Sequence, residues 1–432
     1  MAAVVIYCPF TSPRLTYVLD WIFNEQFQCG YILTDNAADK TACTLSYGAA
    51  ISGAILTPDA GLLPQTNIEV QNIKTGTWNG VPVLFYKNES DYSLPFDIFS
   101  AIFYLLSRYE EYLPFTPDKH NRYPATESIL YKMGCLERPL VDEWLLRLQQ
   151  LLAQKNIEIT KTAFSYLPTY DIDIAYSYSY KGFTHTIGGY IKDLAKGNMN
   201  RVKERTSSLK GEQDPFDSFD WLFDLHGKYT VRPIYFILSA LNTTAFDKNI
   251  HPAHPAMKRL IKRLSADGDI GLHPSYYSNR DTELIFSEKK TLVSVAGRPV
   301  NISRQHYIKN KIPYTYNLLQ AKTILEDYSM GYATHLGFRA GTGRSFPWYN
   351  LDKERTTTFK VHPFCFMDTA ARFECGLNAE TAFQRLDAMK QILQKCDSKL
   401  VTVFHNFSLG TDAGWAGWSH AYEQFFETVF TS

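Results

Sequence analysis

Thr169-Tyr170-Asp171-Ile172-Asp173 is the stretch that decides how this chain folds. It reads as a strand, and successive strand side chains point to opposite faces. Asp171 and Asp173 therefore share one face, while Ile172 and Ile174 share the other. Two neighbouring carboxylates repel, and if buried they need a counter-charge or a shared proton. A divalent cation beside one of them meets that need. The carboxyl end of a strand is also where α/β folds carry their sites.

Working outward, strands and helices alternate from Ile157 onward, the signature of a parallel sheet or barrel. Strands are expected at 163–174, 231–239, 269–273, 299–304, 331–338, 359–367 and 399–405. Met257, Leu260, Ile261 and Leu264 recur at helical spacing, and Gly268 stops that helix. Further helices are expected around 315–328, 379–396 and 418–430. About seven strand–helix units predict a distorted, closed or nearly closed (β/α) barrel over 156–432. Residues 1–155 form a smaller α/β domain of unknown role. Its expected elements are a strand at 3–8, helices at 15–27, 95–112 and 141–152, and short β-like runs between Tyr31 and Tyr86. Ser107-Arg108-Tyr109-Glu110-Glu111-Tyr112 reads as an interdomain contact rather than a site.

Composition excludes several classes. The 44 Lys+Arg balance the 44 Asp+Glu, so bulk attraction to nucleic acid or to acidic membranes is not expected. Seven scattered cysteines without a C-x-x-C suggest reduced thiols in a cytoplasmic setting rather than a disulfide framework or a zinc knuckle. No signal peptide is read at Met1–Phe10, and no apolar run approaches a membrane span. Residues 181–213 carry seven Lys/Arg against three Asp/Glu. They read as a solvated surface helix in preference to one that lies on a membrane or a charged substrate.

Chemistry-bearing residues gather at expected strand ends: Asp171 with Asp173, His273, and His405 within Val403-Phe404-His405-Asn406. Arg339 lies in the glycine-rich turn Gly337-Phe338-Arg339-Ala340-Gly341. Carboxylates, imidazoles and an arginine in this arrangement suit metal-assisted hydrolysis. In their order, these residues resemble the motifs of the polysaccharide deacetylases, carbohydrate esterases with a distorted (β/α) barrel. The resemblance spans about 157–432. It implies Asp171 as general base, Asp173 and His273 as ligands of a divalent metal, zinc by preference, and Arg339 as the residue that holds Asp171. It further implies His405 as general acid, tuned by Asp368 of Met367-Asp368-Thr369. The first 150 residues are similar to the uncharacterised domain that often precedes this catalytic domain in bacterial members, notably at Phe96–Tyr112 and Pro139–Trp144.

One departure concerns the metal. The resemblance expects a second histidine where Tyr277 stands. His306, in Ser303-Arg304-Gln305-His306, is the candidate third ligand, ahead of His254 and Ser278. The expected activity is removal of acetyl from an N-acetylated sugar or polysaccharide precursor, a hydrolysis of a non-peptide C–N bond. The substrate is a carbohydrate, with no organic cofactor and no nucleic acid. Two alternatives stay open: a catalytically weak or inactive member that binds glycan or serves a biosynthetic assembly, and an amide hydrolase for a non-sugar substrate. An aromatic-lined groove would favour a glycan. The sequence leaves the oligomeric state open.

Overall fold

The computed structural model describes residues 3–36, 43–87, 92–160 and 162–431. Parts of the Met1–Phe10 and Tyr31–Tyr86 readings, at 1–2 and 37–42, lie outside the described residues.

The N-terminal part builds a parallel sheet from β1 (Val4–Tyr7), β2 (Tyr31–Thr34), β3 (Leu45–Tyr47) and β4 (Ile55–Thr57), in the order β2-β1-β3-β4. A hairpin of β5 (Thr75–Trp78) and β6 (Val81–Leu84) follows. Helix α1 (Pro13–Leu19) starts on Ser12, whose hydroxyl accepts from the Leu15 N–H, and continues as a wider π-turn run to Gln26. Helix α2 (Ile98–Leu106) is buried along its whole length. Its cap, Asp97, accepts from the Ser100 N–H, so the helix is shorter than the apolar pattern over 95–112 suggests. Helices α3 (Ile129–Lys132) and α4 (Leu140–Ala153) complete this part.

The larger sheet runs β12-β13-β11-β10-β9-β8-β7-β15-β14. Its strands are β7 (Ser165–Ile172), β8 (Ile234–Leu238), β9 (Asp269–His273), β10 (Ile302–Ser303) and β11 (Glu326–Met330), followed by β12 (Phe346–Asn350), β13 (Arg355–Pro363), β14 (Phe366–Met367) and β15 (Lys399–His405). All its pairings are parallel except β12 with β13. Strand β8 is buried at every residue and β15 at all but its first. Continuous burial of this kind belongs to parallel strands covered on both faces. Helices α5 (Phe183–Ala195) and α6 (Met199–Leu209) pack on each other, while the covering helices are α7 (Phe219–Tyr229), α8 (Pro255–Asp267), α9 (Thr282–Ala296), α10 (Tyr314–Ala321), α11 (Ala379–Lys395) and α12 (Trp418–Phe430).

The sheet has nine strands rather than about seven, and it is open, with β12 and β14 as its edges. The expected strand at 331–338 is a series of bends. The strand lies one step earlier, at Glu326–Met330, where the sequence predicts the end of a helix. Its polar Asp327 is buried yet satisfied by the Ser303 hydroxyl and by the Ser329 N–H and hydroxyl, which hides the strand from a hydropathy reading. The loop that follows needs Gly337. Its φ is +119°, and a side chain there would run into the Leu136 carbonyl.

Both parts share one continuous core. The Tyr17 hydroxyl and the Trp21 indole donate to the Pro347 and Ser345 carbonyls. Asp142 accepts from Arg344, from the Thr342 hydroxyl and from the Gly343 N–H. The Ser107–Tyr112 cluster reaches the larger sheet through Glu111, which takes both forks of the Arg339 guanidinium at 2.8 and 2.6 Å.

Candidate metal centre and active site

Parallel strands place their carboxyl ends on one edge. Register sets Asp171 opposite His405 on β15, and Leu238 opposite His273 on β9. Ser303 pairs with Leu272, so Arg304 and His306 emerge beside His273. Asp173, just past β7, lies at the centre. Its Oδ1 is 3.1 Å from His273 Nε2, and its Oδ2 is 3.4 Å from His306 Nε2 and 3.5 Å from His405 Nε2. One ligand atom each from Asp173, His273 and His306 lies within 4.8 Å of the others.

Each imidazole is oriented from behind. His273 Nδ1–H donates to the Arg304 carbonyl at 2.6 Å, which leaves the Nε2 lone pair facing Asp173. His306 Nδ1 meets Asp247 Oδ1 at 3.0 Å, and Asp247 is itself fixed by the Tyr276 N–H and the Thr244 hydroxyl. His405 Nδ1 faces Asp368 Oδ1 at 2.7 Å, and its backbone N–H donates to Asp368 Oδ2.

The charges are correspondingly shifted. Burial would raise the Asp173 carboxyl, yet His306 and His273 hold it well below the usual carboxylate range. Burial opposes charge on His306, but Asp173 and Asp247 on its two nitrogens raise it to about 9. Burial likewise opposes charge on His405, and Asp368 and Asp173 outweigh it, lifting the imidazole well above its ordinary value.

Arg339 does not reach Asp171. The expectation that it holds this carboxylate is corrected by its bidentate pairing with Glu111 and by its bonds to the Gly331 and Asn310 carbonyls. Arg304 occupies the place instead. Its Nη1 is 2.8 Å from Asp171 Oδ1, its Nε donates to the Tyr328 carbonyl, and it lies over the Phe236 ring. The physical reason is register. Arg304 leaves the end of β10, with only β9 and β8 between it and β7, whereas Arg339 sits in a loop held by the N-terminal part. Arg304 and Asp247 are the two site residues that sequence reasoning missed. For Arg304 a signal existed, since it stands two residues before His306 at an expected strand end. Asp247 lies in an irregular loop and carried none. Tyr277 is 45% exposed and outside the cleft lining, His254 caps α8, and Ser278 bonds to the Ser275 carbonyl.

The constellation lies in a cleft of about 490 Å³. Phe246 and Tyr307 line one wall, Phe373 and Phe407 another. Lys119, His120 and Arg122 from the N-terminal part also reach it, and His120 Nδ1 is 2.9 Å from the Tyr276 hydroxyl. A larger cleft of about 710 Å³ lies by Ser165 and Lys399, at the amino ends of β7 and β15, and holds no comparable cluster of imidazoles and carboxylates.

Comparison with known proteins adds outline similarity. Residues 4–157 match the model of a family of unknown function, DUF7033. No curated protein matches the chain. Among solved structures, a Mycobacterium smegmatis protein assigned to the polysaccharide deacetylases is 16% identical, with 62% of this chain and 85% of that one covered at a TM-score of 0.38. A Pseudomonas aeruginosa protein with the same assignment is 14% identical, covering 63% and 85% at 0.41. Puue allantoinase is 12% identical, covering 63% and 85% at 0.40.

Proposed function

We propose that this chain is a metal-dependent hydrolase of the polysaccharide deacetylase type, which removes acetyl from an N-acetylated sugar or polysaccharide precursor. The observation that carries the reading is the convergence of Asp171, Asp173, His273, His306 and His405 on one cleft. The residues fit a cation. Asp173 Oδ1 is a buried oxygen with no hydrogen-bond partner, and two imidazole Nε2 atoms face the same carboxylate. Without a cation or an added proton, such lone pairs repel.

Asp173, His273 and His306 would hold the metal, and an N₂O donor set suits zinc with an open position. When bound, zinc supplies Lewis acidity toward a carbonyl and makes a neighbouring water acidic. Asp171 takes the water's proton, and Arg304 Nη1 holds the carboxylate in place. His405, held by Asp368, presents Nε2–H to the departing amine. The aromatic walls offer flat apolar faces against which sugar rings stack, which favours a glycan over a small closed-pocket amide. The division at residue 155, the N-terminal part as a separate domain and a reducing cytoplasmic compartment belong to the same proposal. The described cysteines are all unpaired, in keeping with that compartment.

The test is acetate release from N-acetylglucosamine oligosaccharides by the zinc-loaded protein and its Asp171→Asn variant. The reading expects release by the former and a loss of about 10²–10⁴-fold in the latter, with zinc retained. Release that is equal in both, or absent from the zinc-loaded protein across oligosaccharide lengths, overturns it.

A further inference from the structure

Between β7 and α7 the chain leaves the sheet as a helical hairpin, α5 and α6. Its internal contacts are specific. Arg205 donates to Asp193 at 2.6 Å, Arg201 lies 3.4 Å from the same carboxylate, and the Arg205 guanidinium covers the Tyr178 and Tyr190 rings. Gly189 allows the crossing, because a side chain there would strike that guanidinium.

The outer surface is unlike that of a solvated helix. Phe183, Ile187, Ile191 and Leu194 are 79%, 42%, 63% and 53% exposed. At 100° per residue these four fall within one arc of about 80°. Met199, at the start of α6, is 53% exposed, and Tyr180, at the root of the hairpin, 49%. The segment 181–213 is at the surface as expected, but as two helices whose apolar side chains face outward while the polar Asp193 and Arg205 are turned in. Contiguous exposed apolar side chains mark an interaction surface.

Charge says what covers it. Asp193 takes up Arg201 and Arg205, but Lys192, Lys196, Lys203 and Lys210 form no ion pair among the described residues. At the same 100° per residue, Lys192 and Lys196 fall on the side of α5 away from the apolar arc, as in helices that lie in a membrane interface with an apolar side down and a basic side toward the headgroups. A layer of anionic headgroups over apolar chains complements both features. The helix is too short to cross, since α5 spans only about 20 Å, and among the described residues no helix is long and apolar enough to do so. It can only lie in the interface plane.

We infer that the α5–α6 hairpin docks this protein on an anionic membrane surface, with Phe183, Ile187, Ile191 and Leu194 inserted among the acyl chains and the free lysines at the headgroups. Docking also orients the site. Tyr180, Lys181 and His185, at the hairpin root, line a cleft of about 470 Å³ that shares Lys248 with the catalytic cleft. The hairpin thus sets the mouth of the site beside the bilayer.

The experiment is sedimentation of the full chain with phosphatidylglycerol–phosphatidylcholine vesicles and with pure phosphatidylcholine vesicles. The expected result is binding to the anionic vesicles that weakens with salt. Phe183→Asp/Ile191→Asp should lower that binding about tenfold or more, and Lys192→Glu/Lys196→Glu should lower it while sparing the apolar face. Both double variants change exposed side chains, so unchanged melting temperatures show that the fold persists. Equal affinity for both vesicle types, no binding to either, or binding indifferent to these substitutions overturns the inference. So does self-association of the free chain that Ile191→Asp abolishes, which would make the face a contact between copies or with another protein.

Discussion

Arg304 Nη1 lies 2.8 Å from Asp171 Oδ1, with both side chains buried and the carboxylate's other oxygen 3.7 Å from His273 Nε2. One oxygen of Asp171 is thus paired with Arg304, and the other faces His273. Arg304→Ala should lower kcat/KM for acetyl release by about 10²–10³-fold, because it removes the buried partner that orients the Asp171 carboxylate. Zinc affinity should change little. A normal rate in this variant would remove Arg304 from the mechanism.

Arg339 provides the contrast. It forms a buried bidentate pair with Glu111 and does not line the cleft that holds Asp171 and Asp173. Arg339→Ala should cost about 1–3 kcal/mol of stability, because Glu111 keeps its ion pair with Arg108 but loses two buried hydrogen bonds to Arg339. Denaturant unfolding measures the loss, and kcat per folded molecule should stay near that of the parent. A selective loss of turnover at unchanged stability would return Arg339 to the site.

His405→Ala separates proton donation from binding. Turnover of N-acetyl sugars, whose amine leaving group needs a proton, should fall by about 10²–10⁴-fold, whereas an activated aryl acetate should be hydrolysed at a similar rate. Asp368→Asn should show the same pattern more weakly, since Asp368 orients the ring through Nδ1 and the backbone N–H. An equal loss on both substrates would point to a binding or structural role for His405.

The residues that the sequence placed correctly are those whose position depends on strand periodicity. Asp171 and Asp173 share a face because they are two apart, and His273 and His405 close apolar runs that can only be buried parallel strands. Helix α8 was legible for the same kind of reason, with apolar spacing inside and Gly268 at its end. What escaped depends on which strands become neighbours. Arg304 and Arg339 both sit near expected strand ends, and only the sheet order brings the former, three strands from β7, to Asp171. Asp247 belongs to a loop without a period, and the two-residue strand β10 is too short to leave a pattern. The outward apolar side of α5 also looks, in sequence, like any amphipathic helix. Burial alone tells which side faces the protein.

Metal binding should depend on pH with a definite sign. The protein raises His306 from 6.5 to about 9 by setting Asp173 and Asp247 against it. A folded value above the unfolded one means that this proton stabilises the metal-free protein below about 6.5. The stabilisation fades as pH rises toward about 9. A metal must displace the same proton, so apparent zinc affinity should rise by up to about tenfold per pH unit over that window. Competition titrations with a chelator at several pH values check this. An affinity that is flat or falls with pH contradicts it.

Glu288, behind the Asp247–His306 pair, offers a test of stability. Burial pushes its carboxyl from 4.5 up to about 7, even though the Ser275 N–H donates to Oε2. A raised acid binds more protons folded than unfolded, so stability falls as pH rises from about 4.5 to 7, by roughly 3 kcal/mol at most. Glu288→Gln should flatten that slope in thermal melts. An unchanged slope would show that Glu288 is not its source.

The central claim is that Asp173, His273 and His306 form one metal site, with Asp171 beside it but outside it. Calorimetric titration of the metal-stripped full chain with zinc, set against Asp171→Asn and His306→Ala, tests it most directly. The account predicts a single tight site in the parent, retained in Asp171→Asn. In His306→Ala it predicts weakening by about a hundredfold or more, since loss of an outer-shell partner alone costs about 10–100-fold. A parent that binds no zinc, or a His306→Ala variant that binds it as tightly as the parent, would contradict the account.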